Sequence, residues 1–169
     1  EVEALTPVDL LRRCELEVKT VGIKSQIIRG SHGIPVVCDI EENEIVLDDK
    51  LQMIVLPGGM PGTLNLEKSP KVQEAIDYCV KNNIYIGAIC AAPSILGHKG
   101  LLNGKEAICF PGFEAQLTGA KISNDVVCKD DKIITAKGAG VAIEFSLKLV
   151  ETLISKQRAD KLKGSLQCK

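Results

Sequence analysis

Short apolar runs alternate with amphipathic stretches along this chain. Runs at 53–56 and 84–89 predict buried strands, and the stretch that begins at Ser69-Pro70 predicts a helix. Its apolar residues fall on one helical face: Val72, Ala75, Ile76, Cys79 and Val80. Buried strands that alternate with helices predict a mostly parallel sheet covered on both faces.

The remaining pattern completes this α/β arrangement. A helix is predicted from Thr6, as its capping residue, to Arg13, and the longest helix runs from after Gly140 to about Ser155. A short helical piece is predicted to end at Leu117, and a basic tail closes the chain. Further strands are predicted at 16–21, 26–29, 34–38 and 106–110, and a hairpin at 126–136. No repeat or linker divides the chain, so residues 1–169 are predicted to form a single domain.

Cys90 occupies the sharpest junction in the pattern. It lies between the strand 84–89 and a helix with Pro93 in its first turn. This geometry is typical of a nucleophile elbow, with cysteine in place of serine. Free amides and the helix dipole are expected to lower the pKa of such a thiol. The alternative is a small buried cysteine that packs under the sheet.

The glycine-rich turn 57–62 follows the strand 53–56. Because the carboxyl ends of parallel strands meet at one edge, this turn and Cys90 are expected to lie close together. The backbone N–H groups of Gly59 and Ala91 could then form an oxyanion hole. The alternative for Gly58-Gly59 is a tight turn without a catalytic role.

Composition narrows the classes of function. The formal charge is −1 and aromatic residues make up 3%, which gives no support for binding nucleic acid or an anionic membrane. No apolar run approaches the ~20 residues of a bilayer span, and no signal peptide opens the chain. The seven scattered cysteines are an odd number and form no C-x-x-C pair, which favours free thiols in a reducing cytoplasm and no metal site.

Four segments in order along the chain resemble the ThiJ/PfpI superfamily, in particular the branch of the parkinsonism-associated deglycase and its small bacterial relatives. They are residues 1–13, 55–59, 88–93 and 137–140, the last followed by Glu144-Phe145. The resemblance implies a flavodoxin-like three-layer α/β sandwich, a homodimer and a reactive elbow cysteine. The family also begins with a strand and a turn that this sequence lacks, so we expect further residues to precede Glu1.

The resemblance also implies roles for individual residues. Cys90 would be the nucleophile, Glu3 the acid that hydrogen-bonds its sulfur, and Gly59 and Ala91 the oxyanion-hole amides. Three further residues would line the site: Gly58, Phe110 and Pro111. A carboxyl group beside a thiolate acts as a donor only when protonated, so Glu3 is expected to be neutral. The alternative is an exposed carboxylate at a helix start.

Several family members carry a histidine near the cysteine. The resemblance places Phe110 at that position in this sequence. Of the two histidines, His98 is expected at a helix end ~12 Å along the axis from Cys90, and His32 in a surface loop. A Cys–His pair is therefore poorly supported.

Three functions follow from these residues and the resemblance. The first is a cofactor-free enzyme that acts on small reactive carbonyls or glycation adducts through the Cys90 thiolate. The second is a redox sensor or stress-protective chaperone in which Cys90 is oxidised. The third is a peptidase or amidase, for which the histidine partner of the cysteine is missing.

Overall fold

The computed structural model describes residues 1–168. Its strands are β1 (Val21–Gly22), β2 (Ile27–Arg29), β3 (Pro35–Val37), β4 (Ile40–Glu41), β5 (Met53–Leu56), β6 (Tyr85–Ile89), β7 (Glu106–Ala107), β8 (Lys121–Ile122), β9 (Val127–Asp130) and β10 (Ile133–Ala136). Its helices are α1 (Val2–Arg13), α2 (Gly62–Lys68), α3 (Pro70–Lys81), α4 (Pro93–His98), α5 (Ala142–Leu153) and α6 (Lys156–Ser165).

The central sheet has the strand order β5-β6-β10-β9. Strands β5, β6 and β10 are parallel, and β9 pairs antiparallel with β10 as the predicted hairpin. The mostly parallel sheet is therefore confirmed. Because β5, β6 and β10 point the same way, the segments after Leu56, Ile89 and Ala136 share one edge of the sheet.

Helices cover both faces of this sheet, since alternate side chains of each strand point to opposite sides. In β6, Ile86 and Ala88 pack into a core with α3 and α4. On the other face Ile89 joins a core built with α1, α5 and α6, where Phe145 is fully buried. A Cβ on Gly87 would lie 3.1 Å from the ring of Phe145, so glycine lets α5 approach the sheet closely.

Several element boundaries differ from the sequence prediction. Helix α1 begins at Val2 rather than after Thr6, and Pro7 lies inside it. Helix α2 is an additional element, and the predicted basic tail forms α6, which buries Ala159 and Leu162. The Ser69 cap of α3 is confirmed, because its hydroxyl accepts a hydrogen bond from the Val72 amide at 3.3 Å.

The strands outside the central sheet are short. Of the predicted strand 16–21 only Val21 is paired, in β1 with β4, and of 106–110 only the first two residues form β7, which pairs with β8. Strands β2 and β3 form an antiparallel hairpin. Within residues 1–168, β5 pairs on one side alone and the β1–β4 pair is separate from the central sheet. The strands predicted at 16–21 and 106–110 are therefore shorter in the structure, because most of their residues have no neighbouring strand to pair with.

Candidate active site

Cys90 lies at the junction of β6 and α4. Its backbone has φ of +65°, a left-handed conformation that costs a non-glycine residue energy. Its amide donates to the Ala136 carbonyl at 2.9 Å, and its own carbonyl accepts from the Phe110 amide at 2.8 Å. The predicted sharp corner is confirmed, and its two backbone hydrogen bonds hold it to the neighbouring segments. Cys90 is a half-buried residue, in contrast to the fully buried cysteine of the alternative interpretation.

Glu3 reaches this corner from the first turn of α1. Its side chain is hydrogen-bonded to the Cys90 thiol, and its Oε2 accepts from the Gly58 amide at 3.1 Å. The structure therefore places Glu3 in the site rather than on the surface. A Cβ on Gly58 would lie 2.6 Å from the Cys90 Cβ and 2.7 Å from Glu3 Oε2, so only glycine fits between the two side chains.

Two backbone amides point at the sulfur. Gly59 and Ala91 both donate hydrogen bonds to Cys90, one from the turn after β5 and one from the turn after β6. These are the amides that the sequence selects as oxyanion-hole donors. The structure brings together Cys90, Glu3, Gly59 and Ala91, while their catalytic roles stay predictions.

The charge balance of the site differs from the expectation of a low thiol pKa. Burial and the hydrogen-bonded Glu3 carboxylate raise the pKa of Cys90 to about 11, against the opposing effect of the Gly59 and Ala91 amides. Helix α4 has only six residues, so its dipole is small. The predicted lowering of the Cys90 pKa is therefore wrong.

Backbone amides lie on both sides of the contact between Cys90 and Glu3. The amides of Gly59 and Ala91 favour negative charge on the Cys90 sulfur. The Gly58 amide donates to Glu3 Oε2 at 3.1 Å and holds the carboxyl group beside the thiol, where it can take or return a proton.

Phe110 and Pro111 are exposed residues of the segment that follows β7. The hydrogen bond from the Phe110 amide to Cys90 places this segment beside the nucleophile. Cys109 is buried next to it, and burial, followed by the charges of Glu114 and Cys90, raises its pKa to about 11. This segment therefore lies beside Cys90, and a lining role of Phe110 and Pro111 stays a prediction.

Neither histidine pairs with Cys90. His98 ends α4, as predicted, and its Nδ1 lies 2.6 Å from Glu67 Oε1. The side chain of His32 is 86% exposed, with Nδ1 at 3.4 Å from both Ser31 Oγ and Glu1 Oε2. The structure thus agrees with the sequence in giving no Cys–His arrangement for Cys90.

The loop between β2 and β3 is the part of the site region that sequence reasoning missed. Ser31 Oγ lies 3.9 Å from the place that a Cβ on Gly59 would occupy. Glu1 holds this loop, because its Oε1 accepts from the amides of His32 at 3.1 Å and Ile34 at 3.4 Å. The acidic residue at position 1 was a visible signal, but a helix-start glutamate does not by itself indicate its partner.

Metal-binding clusters and membrane-spanning helices are both absent from residues 1–168. No group of three or more His, Cys, Asp or Glu side chains there is arranged to hold a metal ion. Among the helices of this part of the chain, none has the length and apolar character needed to cross a bilayer.

Comparisons with known proteins agree with this geometry. The model of the DJ-1/PfpI family matches residues 1–152. Protein DJ-1 homolog B of Arabidopsis thaliana is 35% identical over 97% of this chain, which spans 38% of that longer protein. The glutathione-independent glyoxalase DJR-1.2 of Caenorhabditis elegans is 33% identical over 96% of this chain and 87% of its own length.

A solved structure gives the same result for the fold. The crystal structure of Drosophila melanogaster DJ-1beta superposes with a TM-score of 0.90 at 30% identity, covering 98% of this chain and 90% of that one. The flavodoxin-like sandwich expected from the resemblance is thereby confirmed. On the family match and these relatives together, the chain belongs to the DJ-1/PfpI family.

Proposed function

We propose that this protein is a cofactor-free glyoxalase of α-oxoaldehydes such as methylglyoxal, with early glycation adducts as related substrates. The observation that carries the proposal is the convergence of a carboxyl group and two backbone amides on the sulfur of Cys90, a half-buried residue. A relative that is named a glutathione-independent glyoxalase supports the same class of reaction.

The reaction begins when the Cys90 sulfur adds to the aldehyde carbon while the Glu3 carboxylate takes the thiol proton. The pair of electrons in the C=O bond moves to oxygen, which receives that proton from Glu3, so that a hemithioacetal forms and the Glu3 carboxylate is restored. The amides of Gly59 and Ala91, which point at the sulfur in the free site, can donate to the substrate oxygen as its charge develops.

Glu3 then completes an internal redox step. Its carboxylate removes the proton from the former aldehyde carbon and returns it to the neighbouring carbon, while the hydroxyl proton of the hemithioacetal passes to the ketone oxygen. The aldehyde carbon is thereby oxidised to a thioester carbonyl and the ketone is reduced to an alcohol. The product is the thioester of a 2-hydroxy acid. Water hydrolyses this thioester and regenerates the thiol, so no external oxidant, metal or nicotinamide takes part in the balance.

The test is turnover of methylglyoxal by the wild type and by matched variants. We expect Cys90→Ser to abolish activity and Glu3→Gln to lower kcat/KM by roughly 10²- to 10⁴-fold, the usual size of a general acid–base contribution. Cys168→Ser and Glu17→Gln, both outside the site, control for loss of a thiol or a carboxylate. Turnover at the wild-type rate in Cys90→Ser or in Glu3→Gln would contradict the mechanism.

Peroxide sensing by Cys90 is the second candidate. Two amides directed at a partly accessible sulfur would also hold the oxygens of a sulfinate, and the neutral form of Glu3 could donate to one of them. Selective addition of two oxygens to Cys90 in mild peroxide, without turnover of any carbonyl, favours this function. A peptidase or amidase is the least supported candidate, because the polar partner of His98 is Glu67 and those of His32 are Ser31 and Glu1.

We also propose that the protein forms a homodimer. The β2–β3 hairpin directs Ile27 and Val37, which are cross-strand partners, into solvent. Exposed Ile34 follows in the same hairpin, and exposed Val2 lies on α1 beside Glu1, whose side chain binds the hairpin loop. An exposed apolar surface of this kind favours association with a second copy.

A further inference from the structure

Phe110 has a fixed position next to the nucleophile. Its amide donates to the Cys90 carbonyl at 2.8 Å. Two residues earlier, the Ile108 amide donates to the buried Thr135 hydroxyl at 3.0 Å. These two hydrogen bonds tie the segment that carries Phe110 to the ends of β6 and β10. The Phe110 backbone is therefore held at the same edge of the sheet as Cys90.

The phenyl ring also has a defined support. A Cβ on Gly138 would lie 3.3 Å from Phe110 Cδ2, so the ring packs over the backbone that follows β10. Nevertheless 47% of the Phe110 residue stays exposed. The other two phenylalanines face inward, since Phe145 is fully buried and Phe113 is partly buried against the core. Phe110 is thus a supported but largely open aromatic surface.

The backbone amides of the free site already have hydrogen-bond partners. The Gly59 and Ala91 amides donate to the Cys90 sulfur, and the Gly58 amide donates to Glu3. The bordering side chain at position 110 is a hydrocarbon ring with no hydrogen-bonding group. A substrate whose aldehyde carbon meets Cys90 would gain contact with this ring through an apolar substituent, because burying apolar area is favourable and aromatic pairs add to it.

We propose that Phe110 determines specificity and selects α-oxoaldehydes with an aryl or branched apolar substituent over methylglyoxal. This inference rests on the proposed glyoxalase function and names the substrate class of the same site. The aldehyde chemistry stays with Cys90 and Glu3. Phe110 contributes through contact with the substituent alone.

The first experiment compares two substrates in each variant. The measured quantity is kcat/KM for phenylglyoxal divided by kcat/KM for methylglyoxal, and we expect Phe110→Ala to lower this ratio about tenfold, the size of one lost aromatic contact. Phe110→Leu should keep part of the preference. Ile154→Ala is the matched control, because Ile154 is 43% exposed and lies just beyond the end of α5 that is farther from Gly138.

A second experiment does not need turnover. Phenacyl bromide and bromoacetone both alkylate a thiol with loss of bromide and differ in having an aryl or a methyl substituent. We expect Cys90 of the wild type to prefer the aryl reagent more than Cys90 of Phe110→Ala does, as measured by peptide mass spectrometry against each reagent's rate with free cysteine.

The outcomes separate the two proposals. If the wild type turns over neither substrate but the alkylation preference falls in Phe110→Ala, the glyoxalase proposal fails and the Phe110 contact stands. If the wild type turns over both substrates and neither ratio changes in Phe110→Ala, the glyoxalase proposal stands and the Phe110 inference is overturned. An equal fall of either ratio in Ile154→Ala also overturns the Phe110 inference.

Discussion

At the scale of single residues, the proposed chemistry depends on the contact between Cys90 and Glu3. Burial and the Glu3 carboxylate raise the pKa of Cys90 to about 11. We therefore expect Glu3→Gln to lower the pKa of this thiol by roughly one pH unit or more, since the substitution removes a negative neighbour while the Gly59 and Ala91 amides stay. Thiolate absorbance against pH measures the effect, with Cys90→Ser as the blank.

Glu17→Gln is the control for this titration, because Glu17 is an exposed carboxylate whose side chain approaches Lys19 rather than the site. It should leave the Cys90 pKa unchanged. An equal pKa in wild type and Glu3→Gln would contradict a contribution of Glu3 to the raised pKa of Cys90.

Gly58 gives a second prediction at this scale. In Gly58→Ala the new methyl group would lie 2.6 Å from both the Cys90 Cβ and the Ile89 carbonyl oxygen. We expect a loss of roughly 1–3 kcal/mol in the free energy of unfolding in urea, with slower alkylation of Cys90. Gly62→Ala, at the start of α2, is the control, because no atom lies within 4 Å of the position that its methyl group would take. Equal stability of the two variants would contradict the tight fit at Gly58.

The sequence predicts the site residues better than their electrostatics. Cys90 and Gly59 can be identified from the sequence. Each follows a predicted strand, and the glycines after one strand and the helix start after the other are visible in the neighbouring residues. Glu3 entered through family resemblance, since a carboxylate at a helix start has no local signal for a partner 87 positions away. The direction of the shift in the Cys90 pKa could not be predicted, because it depends on burial and on a contact between α1 and the turn after β6 that only the folded chain creates.

At the scale of elements, β10 holds the segment that carries Phe110 through a side chain, in addition to its backbone hydrogen bond to Cys90. The Thr135 hydroxyl, which is buried, accepts from the Ile108 amide at 3.0 Å. Thr135→Val removes the acceptor and leaves a buried amide unpaired, which we expect to cost about 1–3 kcal/mol of stability. Thermal unfolding measures the loss, and the segment that carries Phe110 should also become more mobile in hydrogen exchange.

Thr135→Ser separates the hydrogen bond from packing. Serine keeps the hydroxyl and loses one methyl group, so protection of the Ile108 amide from exchange should be retained in Thr135→Ser and lost in Thr135→Val. The interpretation fails if valine protects that amide as well as threonine does.

The difference between local signals and long-range contacts also explains which elements could be predicted. Helix α3 and strands β5, β6 and β10 were predictable, because their periodicity is strong and their caps or turns are local. Helix α6 was interpreted as a basic tail, because it buries only Ala159 and Leu162 and is otherwise polar. The segment 16–21 has the alternation of a strand, but pairing requires a neighbour, and only Val21 finds one, in β4.

At the scale of the whole molecule, the two helical layers bury the central sheet, while the β2–β3 hairpin leaves an apolar face open. Val37 is 70% exposed and lies opposite Ile27. Light scattering after size exclusion should give about twice the chain mass of 18.2 kDa for the wild type. Val37→Lys should shift the protein towards the monomer, because a lysine ammonium in the centre of an apolar interface loses its hydration. Val46→Lys, on an exposed residue outside the hairpin, should not. A monomeric wild type, or a dimer that only Val46→Lys disrupts, would contradict association through this face.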